Sequence, residues 1–389
     1  MRLNSIQNID VSGKRIFVRV DHNVSLNTDN GIGDDIRITQ TLPTINYLID
    51  RGAGVVLASH LGRPGGVVNA KYSIKVVTDR LGKYLNRKIR IIPNYWKNKI
   101  DVKPGEVIML ENLRFHPGEE SNDQKLAKHI ADSVDLYVND AFGSSHRAHM
   151  SIVGIAQRLS SPAYAGLLLE KEINLIDELL ANNKGALVVV IGGAKTPEKI
   201  GVINNLLGKA DTILLGGAVA NTFLSTWGIR TGVSKVDYEM IEMARQIIWK
   251  ATQSSAKLIL PSDVVVSNEQ LTRKPVELSY KEVPGHLAIY DIGKESRKQY
   301  AQEIVNADSV IWNGPMGLFE ERQFAVGTKA IMDAMVKNTG TTVIGGGDTL
   351  TALDNKKQLE HITHVSTGGG ALLEYLEKES LPGIDIVKA

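Results

Sequence analysis

Cysteine is absent from this chain of 389 residues. Its absence excludes disulfide bonds, thiolate nucleophiles, iron–sulfur clusters and cysteine-ligated zinc. No apolar run approaches the roughly 18 residues that a membrane-spanning helix needs. The start of the chain, Met1 to Lys14, also lacks the apolar segment of a secretory signal. We therefore expect a cytoplasmic protein that does not bind membranes.

An excess of charge of one sign is also missing. Lys and Arg number 45 against 43 Asp and Glu, a formal net charge of +2 at pH 7. Such a balance provides no general attraction to nucleic acid or to an anionic membrane, so any basic site must be local. The chain has no GxxxxGK[ST] loop, no GxGxxG that opens a helix after a strand, no HExxH and no GxSxG. These absences argue against P-loop NTPases, dinucleotide-binding enzymes, zinc proteases and serine hydrolases.

The composition is otherwise that of a globular protein, with 43% hydrophobic and 23% charged residues. At roughly 100 to 200 residues per domain, the length predicts about two domains. The 36 glycines exceed the average share of about 7%. Their positions are therefore informative.

Short β-branched segments recur along the chain, each followed by a stretch with helical spacing. This alternation indicates βαβ units and an α/β fold with mostly parallel sheets. The predicted strands are 15–20, 54–59, 106–110 and 136–138 in the first half, and 186–191, 212–215, 257–260, 309–312, 341–344 and 361–365 in the second. Between the halves, residues 166–182 form an amphipathic pattern with Leu169, Ile173, Ile176 and Leu180 on one face. This helix is either a domain connector or an ordinary crossover helix.

The residues that follow the strands differ between the two halves. First-half strands are followed by charged or amide side chains, including Asp21, Asn23, His60, Arg63, Glu111, Asn112, Arg114, Asn139 and Asp140. Second-half strands are followed by glycines: Gly192, Gly193, Gly216, Gly217, Gly314, Gly317, 345–347 and 368–370. Ligands of open α/β sheets bind outside the carboxyl ends of the strands, so two sites are expected, one basic and one lined by backbone.

Basic residues recur at or near the expected strand ends of the first half: Arg37, His60, Arg63, Arg114 and Arg147. A single arginine is more often a surface charge, but a cluster favours a small, multiply anionic metabolite because the guanidinium matches carboxylate and phosphate groups. Asp21 and Asn23 would accept hydrogen bonds from a substrate hydroxyl. A turn or cap role for Asp21 is equally open.

The glycine-rich segments of the second half indicate phosphate binding. In GGAKTPEKI (192–200), Thr196 and Pro197 resemble an N-cap and a first helical residue, and a cation at Lys199 in the first helical turn favours a bound anion, as do Lys195 and the loop amides. In GGGDT (345–349), Asp348 is either the magnesium partner of a nucleotide or a helix cap. The segment TGGGA (367–371) adds an amide nest.

The whole chain resembles the phosphoglycerate kinase family. The shared motifs, in the family's order, are RVDHNV, DDIRI, SHLGRP, ENLRFHPGEE, VNDAFGSSHRAHMS, GGAKTPEKI, LLGGAVANTFL, DIGKES, IWNGPMGLFE, GGGDT and STGGGA. The resemblance implies two Rossmann-like domains with parallel sheets, joined by a long interdomain helix. Residues 1–165 would bind 3-phosphoglycerate, 166–182 would be the hinge, 183–371 would bind Mg-ATP or Mg-ADP, and 372–389 would return to the first domain. The implied protein is a monomer that transfers a phosphoryl group between 1,3-bisphosphoglycerate and ADP in glycolysis, with hinge-bending closure.

The resemblance also assigns roles to individual residues. Those assigned to the phosphoglycerate are Asp21, His22, Asn23, Arg37, His60, Leu61, Gly62, Arg63, Arg114 and Arg147. Those assigned to the nucleotide are Gly192, Lys195, Lys199, Gly216, Gly217, Pro315, Leu318, Glu320, Gly346, Gly347, Asp348 and Thr349, with Asp348 on Mg²⁺. The catalytic set is Arg37, Lys195, Lys199, Gly369 and Gly370. Because the nucleophile is an anion in either direction, the reaction needs charge neutralisation and no general base.

Several positions depart from the family pattern. His22 replaces a usual Phe, Ser25 a Pro, Thr196-Pro197 a Val-Ser pair, Ile289 a Gly beside the adenine, and Leu372 a Ser. We expect these changes to affect nucleotide affinity more than activity. His22 leads to the hypothesis that substrate affinity depends on pH between about pH 5 and 8.

Two other functions are open to an α/β protein of this kind. A dehydrogenase would carry the dinucleotide fingerprint, which this chain lacks. A catalytically inactive nucleotide-binding or scaffold homologue would keep the fold but lose charged site residues. Arg37, Lys195, Lys199 and Asp348 are all present, which favours an enzyme.

Overall fold

The chain folds into two compact units. The computed structural model describes residues 1–28, 30–181, 185–353 and 356–389. The first unit comprises Met1–Leu175 and Ser380–Ala389, and the second comprises Ile176–Glu379. Residues 182 and 183, the expected end of the hinge and start of the second domain, lie outside the described residues.

The first unit is built on a parallel six-stranded sheet. Its strands are β1 (Arg15–Val20), β2 (Gly54–Ala58), β3 (Arg90–Ile92), β4 (Val107–Leu110), β5 (Leu136–Asp140) and β6 (Ala163–Ala165), in the order β3-β4-β2-β1-β5-β6. Its helices before the connector are α1 (Ile36–Thr39), α2 (Leu42–Asp50), α3 (Lys75–Tyr84) and α4 (Gln124–Ala131). The sequence pattern did not predict β3 and β6, because three residues are too few to show a strand period.

The connecting helix, α5 (Leu167–Leu180), contains the boundary between the two units. It is shorter than the predicted range of 166–182. Leu169, Ile173 and Ile176 are fully buried as predicted, whereas Leu179 is buried in place of Leu180, which is only partly buried.

The second unit contains another parallel six-stranded sheet and a small antiparallel one. Its strands are β7 (Leu187–Ile191), β8 (Thr212–Leu215), β9 (Lys257–Ile259), β10 (Asp263–Ser267), β11 (Val276–Ser279), β12 (Ala288–Ile292), β13 (Ser309–Asn313), β14 (Thr341–Gly345) and β15 (His364–Val365). The parallel order is β15-β14-β13-β7-β8-β9, and the antiparallel order is β11-β10-β12. The helices that follow α5 are α6 (Pro197–Leu206), α7 (Gly217–Ser225), α8 (Ile241–Gln253), α9 (Lys294–Val305), α10 (Val326–Lys337), α11 (Gly347–Thr351), α12 (Gly369–Lys378) and α13 (Pro382–Asp385). The antiparallel sheet was not predicted from the sequence pattern.

The central strands are largely apolar because helices cover both faces of a parallel sheet, although β1 also carries the buried Arg19. In β1 only the first residue is not fully buried. Arg19 of β1 lies opposite Ala58 of β2 and Asn139 of β5, and in the second unit Asn313 lies opposite Ile191 and Gly345. These registers bring the carboxyl ends of the strands, and the loops after them, to one edge of each sheet.

The end of the chain returns to the first unit at Ser380, later than the predicted Leu372. Residues 372–379 lie in or just after α12, where Asn205 donates a hydrogen bond to the Leu376 carbonyl at 2.7 Å. After Ser380, Asn139 donates a hydrogen bond to the Gly383 carbonyl at 2.8 Å. In the described part of the chain, no helix has the length and apolar character needed to span a bilayer.

Candidate functional site

The polar edge of the first unit is organised around an ion pair. Arg37, in α1, donates a hydrogen bond to Oδ2 of Asp21 at 2.7 Å. Although burial by itself raises the pKa of Asp21, the charges of Arg37 and Arg19 bring that pKa well below its usual range. Asp21 therefore stays ionised and holds Arg37, whose other guanidinium N–H groups have no partner among the described residues and can donate to an anion.

The loop after β2 is held from both sides at Gly62. Asn23 Oδ1 accepts a hydrogen bond from the Gly62 N–H at 2.8 Å, and the Arg114 guanidinium donates to the Gly62 carbonyl at 2.9 Å. Gly62 has a φ of +64°, and a Cβ there would overlap the Tyr72 ring. Only glycine fits this position, which fixes the approach of Asn23 and Arg114 to the loop.

The structure brings together seven of the ten residues assigned to phosphoglycerate, through hydrogen bonds or mutual charge effects: Asp21, His22, Asn23, Arg37, His60, Gly62 and Arg114. Arg63 and Arg147 are exposed. Arg147 contributes to lowering the pKa of His149 to about 4, after burial and the charges of Arg114 and Arg19, so it lies near this edge. Leu61 has a buried side chain and would contribute shape rather than polarity.

Asn112 supports this site, although no specific role was predicted for it from the sequence. Its side chain is fully buried and donates to the carbonyls of Leu61 at 2.7 Å and Tyr72 at 2.8 Å. Its Oδ1 accepts from the N–H groups of Leu61 at 3.2 Å and Arg114 at 3.0 Å. The signal in the sequence was an amide directly after a strand end, in ENLRF.

His22 does not behave as the sequence suggested. Its side chain is fully buried, its backbone N–H donates to Ser59 Oγ at 2.9 Å, and its Nε2 lies 2.8 Å from Thr41 Oγ1. Burial lowers the pKa of His22 to about 3, although Asp21 acts in the opposite direction. The hypothesis of a titration between pH 5 and 8 is therefore wrong, because the ring is neutral throughout that range.

We expect the His22→Phe variant to show the same pH profile of KM for phosphoglycerate as the wild-type protein between pH 5 and 8. A neutral, buried ring contributes no charge that a phenyl ring would remove. Steady-state kinetics at closely spaced pH values test this. A KM profile that flattens in the variant would show that His22 titrates after all.

A cavity of about 510 Å³ lies in the second unit and has a volume suited to a small-molecule ligand. Five residues assigned to the nucleotide line it: Gly217, Pro315, Leu318, Glu320 and Asp348. The lining also includes Val264, Ala288, Ile289 and Tyr290 of the antiparallel sheet. Ile289, which departs from the family pattern, thus lies in the cavity wall.

The glycines after β7 and β8 do not offer their N–H groups to a ligand, which corrects the expectation of phosphate-binding amides at Gly192 and Gly193 in the loop after β7. The N–H groups of Gly192, Gly193, Gly216 and Gly217 donate to the carbonyls of Asn313, Pro315, Ile191 and Met316, at 3.0, 2.7, 2.9 and 2.9 Å respectively. A Cβ at Gly192 would overlap the Pro315 carbonyl. These glycines therefore permit close packing of the loops.

Lys199 is the buried cation of the second site. It lies in the first turn of α6, is 7% exposed, and donates a hydrogen bond to the Gly192 carbonyl. Burial lowers the pKa of Lys199 to about 8, while the charge of Asp348 opposes this shift. Lys195 is exposed and lies 3.2 Å from Glu198. Thr196 precedes the helix as predicted, but its side chain does not cap it.

The remaining glycine segments meet through Thr349 and Asn313. The Thr349 hydroxyl accepts from the Gly314 N–H at 2.8 Å and donates to the Gly345 carbonyl at 3.0 Å. It is therefore engaged, which leaves only the Thr349 backbone N–H for a phosphate. The first-turn N–H groups of α11 (from Gly347) and α12 (Gly369 and Gly370) have no acceptor within their own helix. Asn313 Nδ2 donates to the Gly369 carbonyl at 3.3 Å, so α12 begins beside β13.

Asp291 is a further residue that sequence analysis did not single out. Its carboxylate accepts from the N–H groups of Gly327 at 2.7 Å and Ile292 at 2.8 Å, and it borders the cavity. Burial raises the pKa of Asp291 to about 7. By holding the start of α10, it supports the loop that carries Pro315 and Leu318.

Comparisons with known proteins agree over nearly the whole chain. The family model described as "Phosphoglycerate kinase" matches residues 6–379. Phosphoglycerate kinases of Pseudothermotoga lettingae and Chloroflexus aggregans are 43% and 46% identical over 392 and 397 residues, each alignment covering 99% of this chain and 98% of the relative. The structure of phosphoglycerate kinase from Coxiella burnetii superposes with a TM-score of 0.88 at 38% identity, covering 99% of this chain and 98% of that one.

Proposed function

Because the chain belongs to the phosphoglycerate kinase family, we propose that its first unit binds 3-phosphoglycerate or 1,3-bisphosphoglycerate and that its second unit binds ADP or ATP with Mg²⁺. Members of the family are kinases whose phosphoryl acceptor is a carboxyl group. The observation that carries the assignment of the two sites is the contrast between the units. The first gathers Arg37, Arg114 and His60 at one sheet edge, and the second has a cavity bordered by Asp348.

In the forward direction, a β-phosphate oxygen of ADP attacks the acyl phosphate of 1,3-bisphosphoglycerate. The P–O bond to the acyl oxygen breaks, a new P–O bond forms, and 3-phosphoglycerate leaves as a carboxylate, so no proton is transferred. In our proposal Arg37 and Lys199 neutralise charge on the transferring group, with Lys195 and the N–H groups of Gly369 and Gly370. Substrates on separate units must be brought together, and we propose hinge motion about α5 for this step.

Asp348 fits the role of a magnesium ligand. It is exposed at the start of α11 and borders the cavity. Among the described residues there is no group of three or more His, Cys, Asp or Glu side chains that could hold a metal ion. A single carboxylate suits Mg²⁺, which usually takes its other ligands from phosphate and water. When bound, the ion would neutralise charge on the nucleotide phosphates.

The proposal is tested by ATP formation from 1,3-bisphosphoglycerate and ADP, followed in a coupled assay with and without Mg²⁺. We expect turnover that requires the metal. Calorimetry with Mg-ADP would distinguish an active kinase from the alternative, an inactive nucleotide-binding homologue, because such a homologue would bind ADP without forming ATP. The predictions of a cytoplasmic monomer that binds neither nucleic acid nor membranes belong to the same proposal, and gel filtration tests the monomer.

The pH dependence of nucleotide use should report the Lys199 ammonium. The pKa of this group is lowered to about 8, so Lys199 is charged below that pH and loses its attraction for phosphate above it. We expect kcat/KM for ADP to fall by up to about tenfold per pH unit above pH 8.

The Lys199→Arg variant is the control, since guanidinium stays charged. Its profile should remain flat through pH 8 to 9.5, whatever its absolute rate. Profiles of the same shape in both proteins would exclude Lys199 as the titrating group.

A further inference from the structure

Arg19 is a charged residue in the central strand of the first unit. It is 1% exposed. Its Nε donates to Ser151 Oγ at 2.8 Å, one terminal nitrogen donates to the Val20 carbonyl, and the other lies 3.3 Å from Ser144 Oγ and 3.1 Å from Nδ1 of His60. The guanidinium is thus connected to the residue that we assign to the anionic substrate.

The contact between Arg19 and His60 determines the form of the imidazole. Arginine has only donors and does not lose its proton in proteins. The ring nitrogen that it contacts must therefore be an acceptor, so Nδ1 of His60 carries no hydrogen. The remaining proton of the neutral ring is on Nε2. Within the described part of the chain, this Nε2 has no hydrogen-bond partner.

The charges around His60 agree with a neutral ring. Burial lowers the pKa of His60 well below its usual value, and Arg19, Arg114 and Arg37 lower it further. Asp21 is the only one of these neighbours that acts in the opposite direction. These groups come from β1 and the loop after it, from α1, and from the turn after β4.

A buried acidic residue fixes Arg19 from its other side. The Ser151 hydroxyl, which accepts from Arg19, donates to Oε1 of Glu119 at 2.6 Å. The Ser151 N–H donates to the second oxygen of Glu119 at 3.1 Å. Glu119 is fully buried, and burial raises its pKa while the charge of Arg19 and the hydrogen bonds from Ser151 oppose that shift. The ionised form of Glu119 is therefore stabilised by Arg19 across one hydroxyl. The direction of each hydrogen bond from Glu119 to His60 is therefore determined.

We propose that Arg19 is a positioning residue that holds His60 as the neutral Nε2–H tautomer, so that His60 donates a hydrogen bond to the anionic substrate without titrating. This role rests on the proposed binding of phosphoglycerate to the first unit. It explains how the site keeps a constant donor at His60 while Asp21 nearby remains ionised. The residue acts through His60 and not by touching the substrate.

The first test is nuclear magnetic resonance of the wild-type protein labelled with ¹⁵N-histidine. The His60 signals are assigned among the nine histidines by comparison with His60→Gln. We expect ¹⁵N shifts and ring couplings of the Nε2–H tautomer that do not change between pH 5 and 8. An Nδ1–H pattern, or a titration midpoint in that range, would overturn the proposal. This measurement needs no activity, so it stands apart from the test of the proposed function.

The second test replaces Arg19 itself. In Arg19→Met, the acceptor at Nδ1 loses its donor, and we expect mixed tautomers, protonation of His60 towards pH 5, and a KM for 3-phosphoglycerate raised roughly tenfold at pH 8. The KM for ATP should change less than about threefold, because the nucleotide is bound elsewhere. Arg19→Lys keeps a charged donor and should restore the Nε2–H signal in part.

Arg19→Met also leaves Glu119 as a buried charge without its partner, so unfolding is monitored. If the single variant is unstable, Arg19→Met/Glu119→Gln removes both charges and retains the test. An unchanged His60 tautomer in a folded variant would refute the role of Arg19. If instead wild-type His60 shows the expected tautomer but 3-phosphoglycerate neither binds nor reacts, the proposed function fails while the tautomer assignment stands.

Discussion

Replacement of Arg37 by alanine is expected to lower kcat by on the order of 10³ or more. The guanidinium is the charge that we assign to the equatorial oxygens of the transferring phosphoryl group. Its side chain is 27% exposed, so truncation leaves no large cavity and the fold should persist. Kd for Mg-ADP should stay near the wild-type value, because the nucleotide is assigned to the other unit. Coupled kinetics, calorimetry and thermal unfolding measure these three quantities.

Arg15→Ala provides a matched control for this prediction. Arg15 pairs with Asp135 at 2.7 Å, the same separation as Arg37 and Asp21, but it lies at the first residue of β1 and so at the opposite edge of the sheet. The pair is partly exposed and worth at most about 1 kcal/mol. We expect wild-type kcat from this variant. More than a tenth of wild-type turnover in Arg37→Ala would remove Arg37 from the catalytic set.

Replacement of Lys199 by methionine is expected to lower kcat by roughly 10²- to 10³-fold, the usual cost of removing one charge-stabilising donor. Methionine has a similar length, so the packing around Gly192 is largely kept. The stability should be unchanged or higher at pH 7. Because the folded-state pKa of Lys199 is lowered to about 8 from 10.5, the unfolded chain binds the proton more tightly, and stability falls as the pH drops through this range. Methionine removes that cost.

A variant that is less active but no less stable cannot be explained by unfolding. Lys329→Met is the control, since Lys329 is an exposed partner of Asp333 in α10, at 3.0 Å and 65% exposed. We expect wild-type rates and stability from it. A drop in the melting temperature of Lys199→Met that matches its loss of activity would argue for a structural role of Lys199 instead.

Much of the fold can be predicted from local sequence patterns, and the elements that were not predicted have identifiable physical reasons. The strands 15–20 and 212–215 are found with the predicted bounds, because a buried parallel strand is rich in β-branched and other apolar residues and is followed by a polar or glycine segment. The strands β10, β11 and β12 were not predicted, although β10 and β12 contribute residues to the lining of the cavity in the second unit. Their partners are antiparallel neighbours with a bulge between Val265 and Val266, which a βαβ rhythm does not anticipate.

The candidate site, like the fold, was only partly predictable from the sequence. The positions of Arg37, Lys199 and Asp348 follow from their motifs, and family membership follows from the order of those motifs along the chain. The role of the glycines did not follow from their motifs. The sequence indicated phosphate-binding amides in the segment GGAKTPEKI, whereas the N–H group of Gly192 bonds to the backbone carbonyl of Asn313. Glycine predicts that the backbone approaches something closely, but not whether that neighbour is a ligand or another loop.

The sequence by itself therefore determined the family, the order of the elements and the kinds of side chain at each strand end. Only the tertiary structure decided the ionisation of His22, Lys199 and His60. A pKa depends on desolvation and on the distances to other charges, and those distances join residues far apart in the chain, such as Arg19 and His60. The order of charged residues along the sequence does not specify these distances.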